Sequence, residues 1–312
     1  MEDNNIKNDI KNMLIQKNGI EIYVYLKMSV DDIEKYEIRK MNAQDDLRDT
    51  IQKRIESRLN ETFCNEDVKF VSIEDYDEKK DTYCIIDKSE YDGLNDICEL
   101  DNIKEFYKGN EGNVQGFIFK YGTETNFIVL YETFYPMNLI NKDKTIMGFL
   151  ETISGEPQFK LIGNNIIKIS ANIDIAIMNK YIISNNFKLL ENKFGFQKYI
   201  EKISDNIVNE IKNIDMIEET DVINDYLNDY KTKKKLAKIK GSKVLKMDKE
   251  IIIKRISEDD YYKQNIKIEN GKIKIKTKRD FNIVLKLLND DILKSNITST
   301  TYDTSSKKEM SK

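Results

Sequence analysis

The chain has 312 residues, 34% of them charged, and a net charge of only −4 at neutral pH. It contains no histidine, which excludes Ser-His-Asp and Cys-His catalysis, histidine metal ligands and imidazole acid–base chemistry. Three cysteines without a Cys-x-x-Cys pair indicate neither a zinc site nor a disulfide framework, so we predict no metal and no cofactor. The polar N-terminus and the lack of an uninterrupted apolar stretch predict a cytoplasmic protein.

The first two thirds of the chain predict an α+β domain, residues 1–196, with an antiparallel-rich sheet. Apolar residues three and four apart predict helices at 45–63 and 89–107. Runs of β-branched and aromatic residues predict strands at 20–28, 68–73, 82–87, 116–121, 127–131, 159–162, 166–169, 173–178 and 181–183. The polar loop 122–126 indicates a hairpin between the two strands beside it.

The last third predicts a helical connector, a small basic α/β module and a disordered tail, at residues 197–230, 231–303 and 304–312. The connector contains an amphipathic helix at 197–214. In the module, a basic helix at 231–240 ends at Gly241, another helix follows Asp248, and a last one covers 280–293. Isoleucine and charged residues alternate around Asn270-Gly271, which is typical of a hairpin with a type I′ turn.

The small net charge hides a strong asymmetry along the chain. Residues 231–279 hold 18 Lys and Arg against 6 Asp and Glu, a local charge of +12, so the rest of the chain carries −16. The acidic stretch 214–230 marks the division. A charge step of this size indicates different partners for the two parts, with a polyanion as the partner of the basic one.

Two arrays of basic side chains in this segment are candidates for binding DNA. Lysines three and four apart share one face of the predicted helix, and lysines two apart project from one face of the predicted strand. The candidate DNA-binding residues are Lys231, Lys234, Lys235, Lys238, Lys272, Lys274, Lys276, Lys278 and Arg279. No aromatic residue interleaves the hairpin lysines, so we expect contact with the phosphate backbone without sequence specificity. The alternative is a solvated surface in a lysine-rich chain.

Two other functions stay open from the residues alone. A protein-interaction adaptor without DNA binding would use the acidic part of the chain as its surface. A metal-dependent nuclease needs clustered carboxylates and a lysine but no histidine, and Glu-x-Lys triplets occur at 191–193 and 78–80. Such triplets arise by chance in so charged a chain, and Glu191 lies in a helix-like segment where that motif needs a strand. We therefore predict no enzymatic activity and assign no catalytic residue.

Several stretches of the sequence resemble one known family. They are YETFYPMNLI at 131–140 and the segments 159–196, 234–250 and 266–303. The pattern is one of apolar, Asp and Phe-Gly-Phe positions, namely Asp174, Phe187, Phe194, Gly195 and Phe196. From about residue 116 to residue 303 the chain resembles the KwaB-like family, which is named for the cytosolic component of the two-gene Kiwa anti-phage system.

The resemblance implies a non-enzymatic, DNA-binding effector of antiviral defence. In Kiwa a membrane protein, KwaA, detects phage at the envelope, and the KwaB-type subunit engages phage DNA and restrains replication and transcription. The resemblance also implies a homo-oligomer that a KwaA-like partner recruits to the inner face of the cell membrane. It supplies no DNA-contact positions, so the nine basic residues rest on the charge argument.

Overall fold

The computed structural model describes residues 2–304 except 17, 31–32, 77–80, 143, 145–147, 154–155 and 219–220. The chain forms two compact units, one of residues 1–69 and 87–186 and the other of residues 70–86 and 187–312. Helices and antiparallel strands occur together, which confirms the predicted α+β class. The four-segment division with boundaries after 196, 230 and 303 stays a prediction, and residues 305–312 of the predicted disordered tail lie outside the described part.

The elements of the described residues are mainly strands in the first unit and mainly helices in the second. The helices are α1 (Glu2–Ile15), α2 (Asp45–Phe63), α3 (Asn95–Cys98), α4 (Phe187–Lys193), α5 (Phe196–Ile214), α6 (Asp221–Tyr226), α7 (Tyr230–Ala237), α8 (Lys249–Glu258), α9 (Asp260–Asn265) and α10 (Lys278–Leu288). The strands are β1 (Gly19–Val30), β2 (Ile33–Lys40), β3 (Lys69–Val71), β4 (Thr82–Asp87), β5 (Val114–Gly122), β6 (Phe127–Thr133), β7 (Leu139–Ile140), β8 (Gly148–Ile153), β9 (Glu156–Leu161), β10 (Ile166–Ile167), β11 (Ile175–Met178), β12 (Tyr181–Ser184), β13 (Lys267–Glu269), β14 (Lys272–Lys274), β15 (Ile292–Lys294) and β16 (Thr301–Asp303).

An antiparallel sheet organises the first unit. Its strands in this unit lie in the order β2-β1-β5-β6-β11-β12, and each neighbouring pair is antiparallel. Strands β5 and β6 form the predicted hairpin. Successive residues of the central strands, such as Phe117, Ile118 and Phe119, are all buried, so both faces of the sheet are covered. Burial on both faces explains why these strands read as continuous apolar runs.

Different parts of the first unit lie near the two faces of this sheet. Helix α2 lies on the face that carries Tyr121, since Glu56 of α2 accepts a hydrogen bond from the Tyr121 hydroxyl at 3.1 Å. On the other face, Tyr25 contacts Tyr131 edge-to-face with ring centroids 5.9 Å apart. The α2 helix has the predicted bounds because its buried residues, Ile51, Ile55, Leu59 and Phe63, recur every four positions.

The predicted helix at 89–107 is wrong. Only Asn95–Cys98 forms a helical turn, and the chain then runs beside the edge strand β2. The backbone N–H of Lys40 donates to the Lys104 carbonyl at 2.9 Å, and the Phe106 N–H donates to the Lys40 carbonyl at 2.8 Å. The apolar residues at Leu94, Ile97 and Leu100 are buried, but they anchor a series of turns rather than a helix.

A close contact at Gly116 of β5 leads to a first prediction. A Cβ atom at this position would stand 2.4 Å from Cζ of the fully buried Tyr131 ring. That ring is held by the hydrogen bond from its hydroxyl to the Gln115 carbonyl at 3.0 Å. We expect Gly116→Ala to lower the free energy of unfolding by about 1–3 kcal/mol, since overpacked cores lose roughly this much.

Urea denaturation followed by circular dichroism measures this loss. The matched control is Gly112→Ala, where a Cβ would meet no atom within 4 Å. Equal stability of the two variants would show that the Tyr131 ring can move away from Gly116 without cost.

The second unit is built around α5. Its buried residues recur every three to four positions, which confirms the predicted amphipathic helix; they are Phe196, Tyr199, Ile200, Ile203, Ser204, Ile207, Val208 and Ile211. Lys233 of α7 forms an ion pair with Glu201 of α5 at 2.8 Å, so these two helices are neighbours. In the same unit, the rings of Tyr76 and Phe187 lie 4.4 Å apart, which ties residues 70–76 to α4.

The predicted β-hairpin of the basic module is confirmed. Strands β13 and β14 are antiparallel with Ile268 opposite Ile273, and Asn270 and Gly271 both have positive φ, 51° and 71°. Two positive φ values are the requirement of a type I′ turn. The helix that follows covers Lys278–Leu288, so it begins two residues before the predicted range of 280–293 and ends five residues before its end. It begins at Lys278 because Thr277 and Asp280 form a capping box there.

Candidate nucleic-acid interface

Helix α7 carries three of the nine predicted DNA-binding residues, and a fourth, Lys238, follows directly as its C-cap. It begins after Asp229, whose carboxylate caps the helix by accepting a hydrogen bond from the Lys231 backbone N–H at 3.0 Å. Lys231 and Lys235 are exposed to solvent, whereas Lys234 and Lys238 are half-buried. Lys234 forms an ion pair with Glu191 of α4. Of these four lysines, Lys231 and Lys235 therefore have the most exposed side chains.

The start of α10 lies beside α7. The Lys278 ammonium is 3.0 Å from the Asp229 carboxylate, and one turn further along, Lys235 donates to the Asn282 side-chain oxygen at 2.8 Å. Lys278 and the Lys231 N–H together hold the pKa of Asp229 below its ordinary value. Exposed Arg279 follows Lys278 in the first turn of α10. We name Lys231, Lys235, Lys278 and Arg279 the α7/α10 patch.

The lysines of the β13–β14 hairpin are held by carboxylates. The residues after α5 lie beside β14: the Ile273 N–H donates to the Met216 carbonyl at 2.8 Å. This backbone pairing brings Asp215 within 2.6 Å of the Lys272 ammonium, and that ion pair lowers the pKa of Asp215. The Lys274 ammonium lies between the carboxylates of Glu218, at 3.4 Å, and Glu269. Glu269 and, to a lesser extent, Glu218 raise the pKa of Lys274. The acidic stretch before the module thus neutralises part of its charge.

The nine predicted residues therefore fall into two groups. Four form ion pairs with carboxylates, namely Lys234, Lys272, Lys274 and Lys278. The other five form no ion pair with any residue that the structure describes, and they are Lys231, Lys235, Lys238, Lys276 and Arg279. The backbone N–H of exposed Lys276 donates to the Asp280 carboxylate at 3.1 Å. The structure thus places the basic helix beside α10, and it leaves Lys272 and Lys274 of the hairpin engaged by carboxylates.

Sequence reasoning missed a cavity next to the predicted lysines. It has a volume of about 580 Å³ and is lined by Lys234 and Lys238 together with Tyr76, Phe187 and Lys188. The signal that could have drawn attention to it is Phe187, which belongs to the positions that carry the family pattern. Glu191 of the first Glu-x-Lys triplet also lines this cavity, on a helix as predicted, whereas the triplet at 78–80 lies outside the described residues.

The described part of the chain contains neither a metal-binding cluster nor a helix that could span a membrane. No cluster of three Cys, Asp or Glu side chains there is arranged to hold a metal ion. None of the helices there combines the length and the apolar character that crossing a membrane requires. The three cysteines are free thiols, and burial raises the pKa of Cys64 and Cys98.

Comparison with known proteins gives a consistent result. Residues 111–298, more than half of the chain, match the family model described as Kiwa protein KwaB-like. A relative from Escherichia coli O55:H7 (strain RM12579 / EPEC), Kiwa protein KwaB, is 24% identical over 249 residues, which cover 76% of this chain and 78% of that protein. No solved structure matches the chain. The matched region is close to the 116–303 expected from the sequence patterns, and the chain belongs to the KwaB-like family.

Proposed function

We propose that this chain is a component of a Kiwa-type anti-phage defence system that binds DNA without sequence specificity. In this proposal it acts in the cytoplasm as a homo-oligomer, and a KwaA-like membrane protein recruits it to the inner face of the membrane. There it binds phage DNA and restrains replication and transcription, and its action involves no catalytic step. Family membership supports the defence role, and the charge arrangement of the second unit supports DNA as the ligand.

The α7/α10 patch is the observation that carries the DNA-binding proposal. Two helices begin there, since Asp229 caps α7 and also contacts Lys278 at the first position of α10. Helix N-termini carry partial positive charge, but the Asp229 and Asp280 carboxylates already lie at these two, so the cationic side chains are the groups that attract phosphate. Lys231, Lys278 and Arg279 lie in the first turns of the two helices, and Lys235 lies in the last turn of α7 beside Asn282 of α10. Of these four residues, Lys278 alone forms an ion pair within the described residues. Cations and helix N-termini recognise the phosphate backbone, which carries no sequence information.

A salt titration tests the proposal. We expect the protein to bind two fluorescein-labelled duplexes of unrelated sequence with equal affinity in fluorescence anisotropy. A plot of log affinity against log KCl should have a slope of about −3 to −4, because roughly four phosphates are neutralised at about 0.9 each. Absence of binding at the lowest salt concentration would contradict the proposal.

The second candidate function is that of an adaptor which binds only protein partners. The observation in its favour is the engagement of Lys272 and Lys274 by Asp215 and Glu218, which reduces the basic surface. No DNA binding at low salt would support it.

Cleavage of the labelled duplex that needs Mg²⁺ and stops with EDTA would instead support a metal-dependent nuclease.

A further inference from the structure

The cavity beside α7 combines an aromatic wall with several amino groups. It lies within the second unit, between α4, α5, α7 and residues 73–76, and its volume is about 580 Å³. Small-molecule sites in proteins have volumes of about 300–1,000 Å³. The cavity is therefore large enough for a single nucleotide but not for a DNA duplex, which must stay on the outer surface.

The aromatic wall consists of Tyr76 and Phe187. Their rings lie 4.4 Å apart at an angle of 36°, and Phe196 supports Phe187 from the side with a centroid distance of 5.1 Å. Tyr76 is buried and Phe187 is half-buried, so an aromatic surface remains open toward the cavity. Stacking on such surfaces binds any nucleobase because every base has a π-face.

The described residues that line the cavity carry a positive net charge. Among them are three amino groups, from Lys188, Lys234 and Lys238, against one carboxylate, from Glu191. That carboxylate is satisfied by the Tyr230 hydroxyl at 2.9 Å and by the ion pair with Lys234. Among the described residues, Lys188 and Lys238 have no carboxylate partner. Lysine ammonium groups bind phosphate as point charges, so these two amino groups are suited to hold one.

We propose that this cavity binds one nucleotide unit, with the base against Phe187 and Tyr76 and the phosphate on Lys188 and Lys238. The unit is either a free nucleotide or an unpaired nucleotide at the end of a DNA strand. In the second form the inference rests on the proposed function, because the cavity lysine Lys238 directly follows α7, the helix that carries Lys231 and Lys235 of the α7/α10 patch.

The test uses the full chain and two probes. Methylanthraniloyl-labelled AMP reports on the free nucleotide, and labelled duplexes with a blunt end or with a single-stranded 3′ overhang report on DNA. The variants are Lys188→Gln/Lys238→Gln, which removes the phosphate contacts, and Phe187→Leu, which keeps an apolar side chain but removes the ring. The control is Lys198→Gln/Lys202→Gln, two exposed lysines of α5 that do not line the cavity. Circular dichroism and thermal unfolding verify that each variant is folded.

For a free-nucleotide site, the labelled AMP binds, and Phe187→Leu weakens binding about tenfold or more, in line with the contribution of one stacked base. Lys188→Gln/Lys238→Gln also weakens binding, because the phosphate loses two ammonium groups. For a strand-end site, the overhang duplex binds more tightly than the blunt duplex, and the cavity variants abolish only this difference. Wild-type affinities in both cavity variants would overturn the proposal, as would displacement of labelled AMP by inorganic phosphate as effectively as by AMP. If neither the wild type nor any variant binds the blunt duplex, the result contradicts the proposed function but not the proposal that the cavity binds a nucleotide.

Discussion

Charge reversal on the α7/α10 patch is expected to abolish most of the DNA affinity. We expect Lys231→Glu/Lys235→Glu/Lys278→Gln/Arg279→Gln to weaken binding at low salt by at least about a hundredfold, or roughly 3 kcal/mol. Its salt slope should become less steep by about 3 to 4, since four phosphate contacts are lost. Fluorescence anisotropy with a labelled duplex at rising KCl measures both quantities.

The hairpin provides a control of equal charge for the α7 half of the patch, Lys231→Gln/Lys235→Gln, which removes two positive charges. Lys272→Gln/Lys274→Gln also removes positive charge from the same module, but these lysines are already engaged by Asp215 and Glu218. We expect a much smaller loss of affinity and little change in slope. The reverse outcome, with a large loss in the hairpin variant and a small one in the patch variant, would assign the interface to the hairpin.

The buried carboxyl of Glu132 is expected to make stability depend on pH. Glu132, on β6, is only 3% exposed and accepts hydrogen bonds from the Ser170 and Ala171 backbone N–H groups at 3.1 and 2.9 Å. Burial outweighs these bonds and raises the pKa of Glu132 from 4.5 to about 7. Because the folded protein holds this proton more tightly than the unfolded chain, the stabilisation is complete below pH 4.5 and is lost as pH rises to about 7.

The loss amounts to about 3 kcal/mol at most, since each unit of pKa shift corresponds to 1.36 kcal/mol. Urea unfolding of the wild type and of Glu132→Gln between pH 5 and pH 8 measures it. The glutamine variant keeps one acceptor for the two N–H groups and does not titrate. As pH rises, the free energy of unfolding of the wild type should therefore fall relative to that of the variant. A difference that stays constant over this range would show that Glu132 is already ionised at pH 5.

Local periodicity predicts the parts of this fold whose stabilising contacts are close in sequence. The β13–β14 hairpin and helices α2 and α5 follow from turn chemistry and from one apolar face. Helix α1 went unpredicted although Ile6, Ile10 and Met13 are buried at helical spacing. Strand β2 gave no such signal because it is an edge strand whose described side chains are largely exposed. The helix predicted at residues 89–107 is wrong because periodic burial of apolar residues also occurs in a series of turns.

The positions of the basic residues could be read from the sequence, but their neighbours could not. Lys272 and its partner Asp215 are 57 positions apart and meet through the backbone pairing of Ile217 with Ile273, for which no local pattern exists. The same holds for Lys235 and Asn282, which are 47 positions apart. A charge count therefore could not show that carboxylates engage Lys272 and Lys274, or that α7 and α10 lie side by side.

Asp229 occupies the place that an incoming phosphate oxygen would take. It accepts from the first turn of α7 and contacts Lys278 at 3.0 Å, much as an oxyanion would. The unliganded surface thus carries its own anion, and a phosphate must compete with a tethered carboxylate for the same ammonium group. A polyanion releases several counterions at once when it binds, which a single phosphate does not. The Asp229 carboxylate therefore reduces the attraction of Lys278 for an isolated phosphate, and the patch depends on several contacts made together.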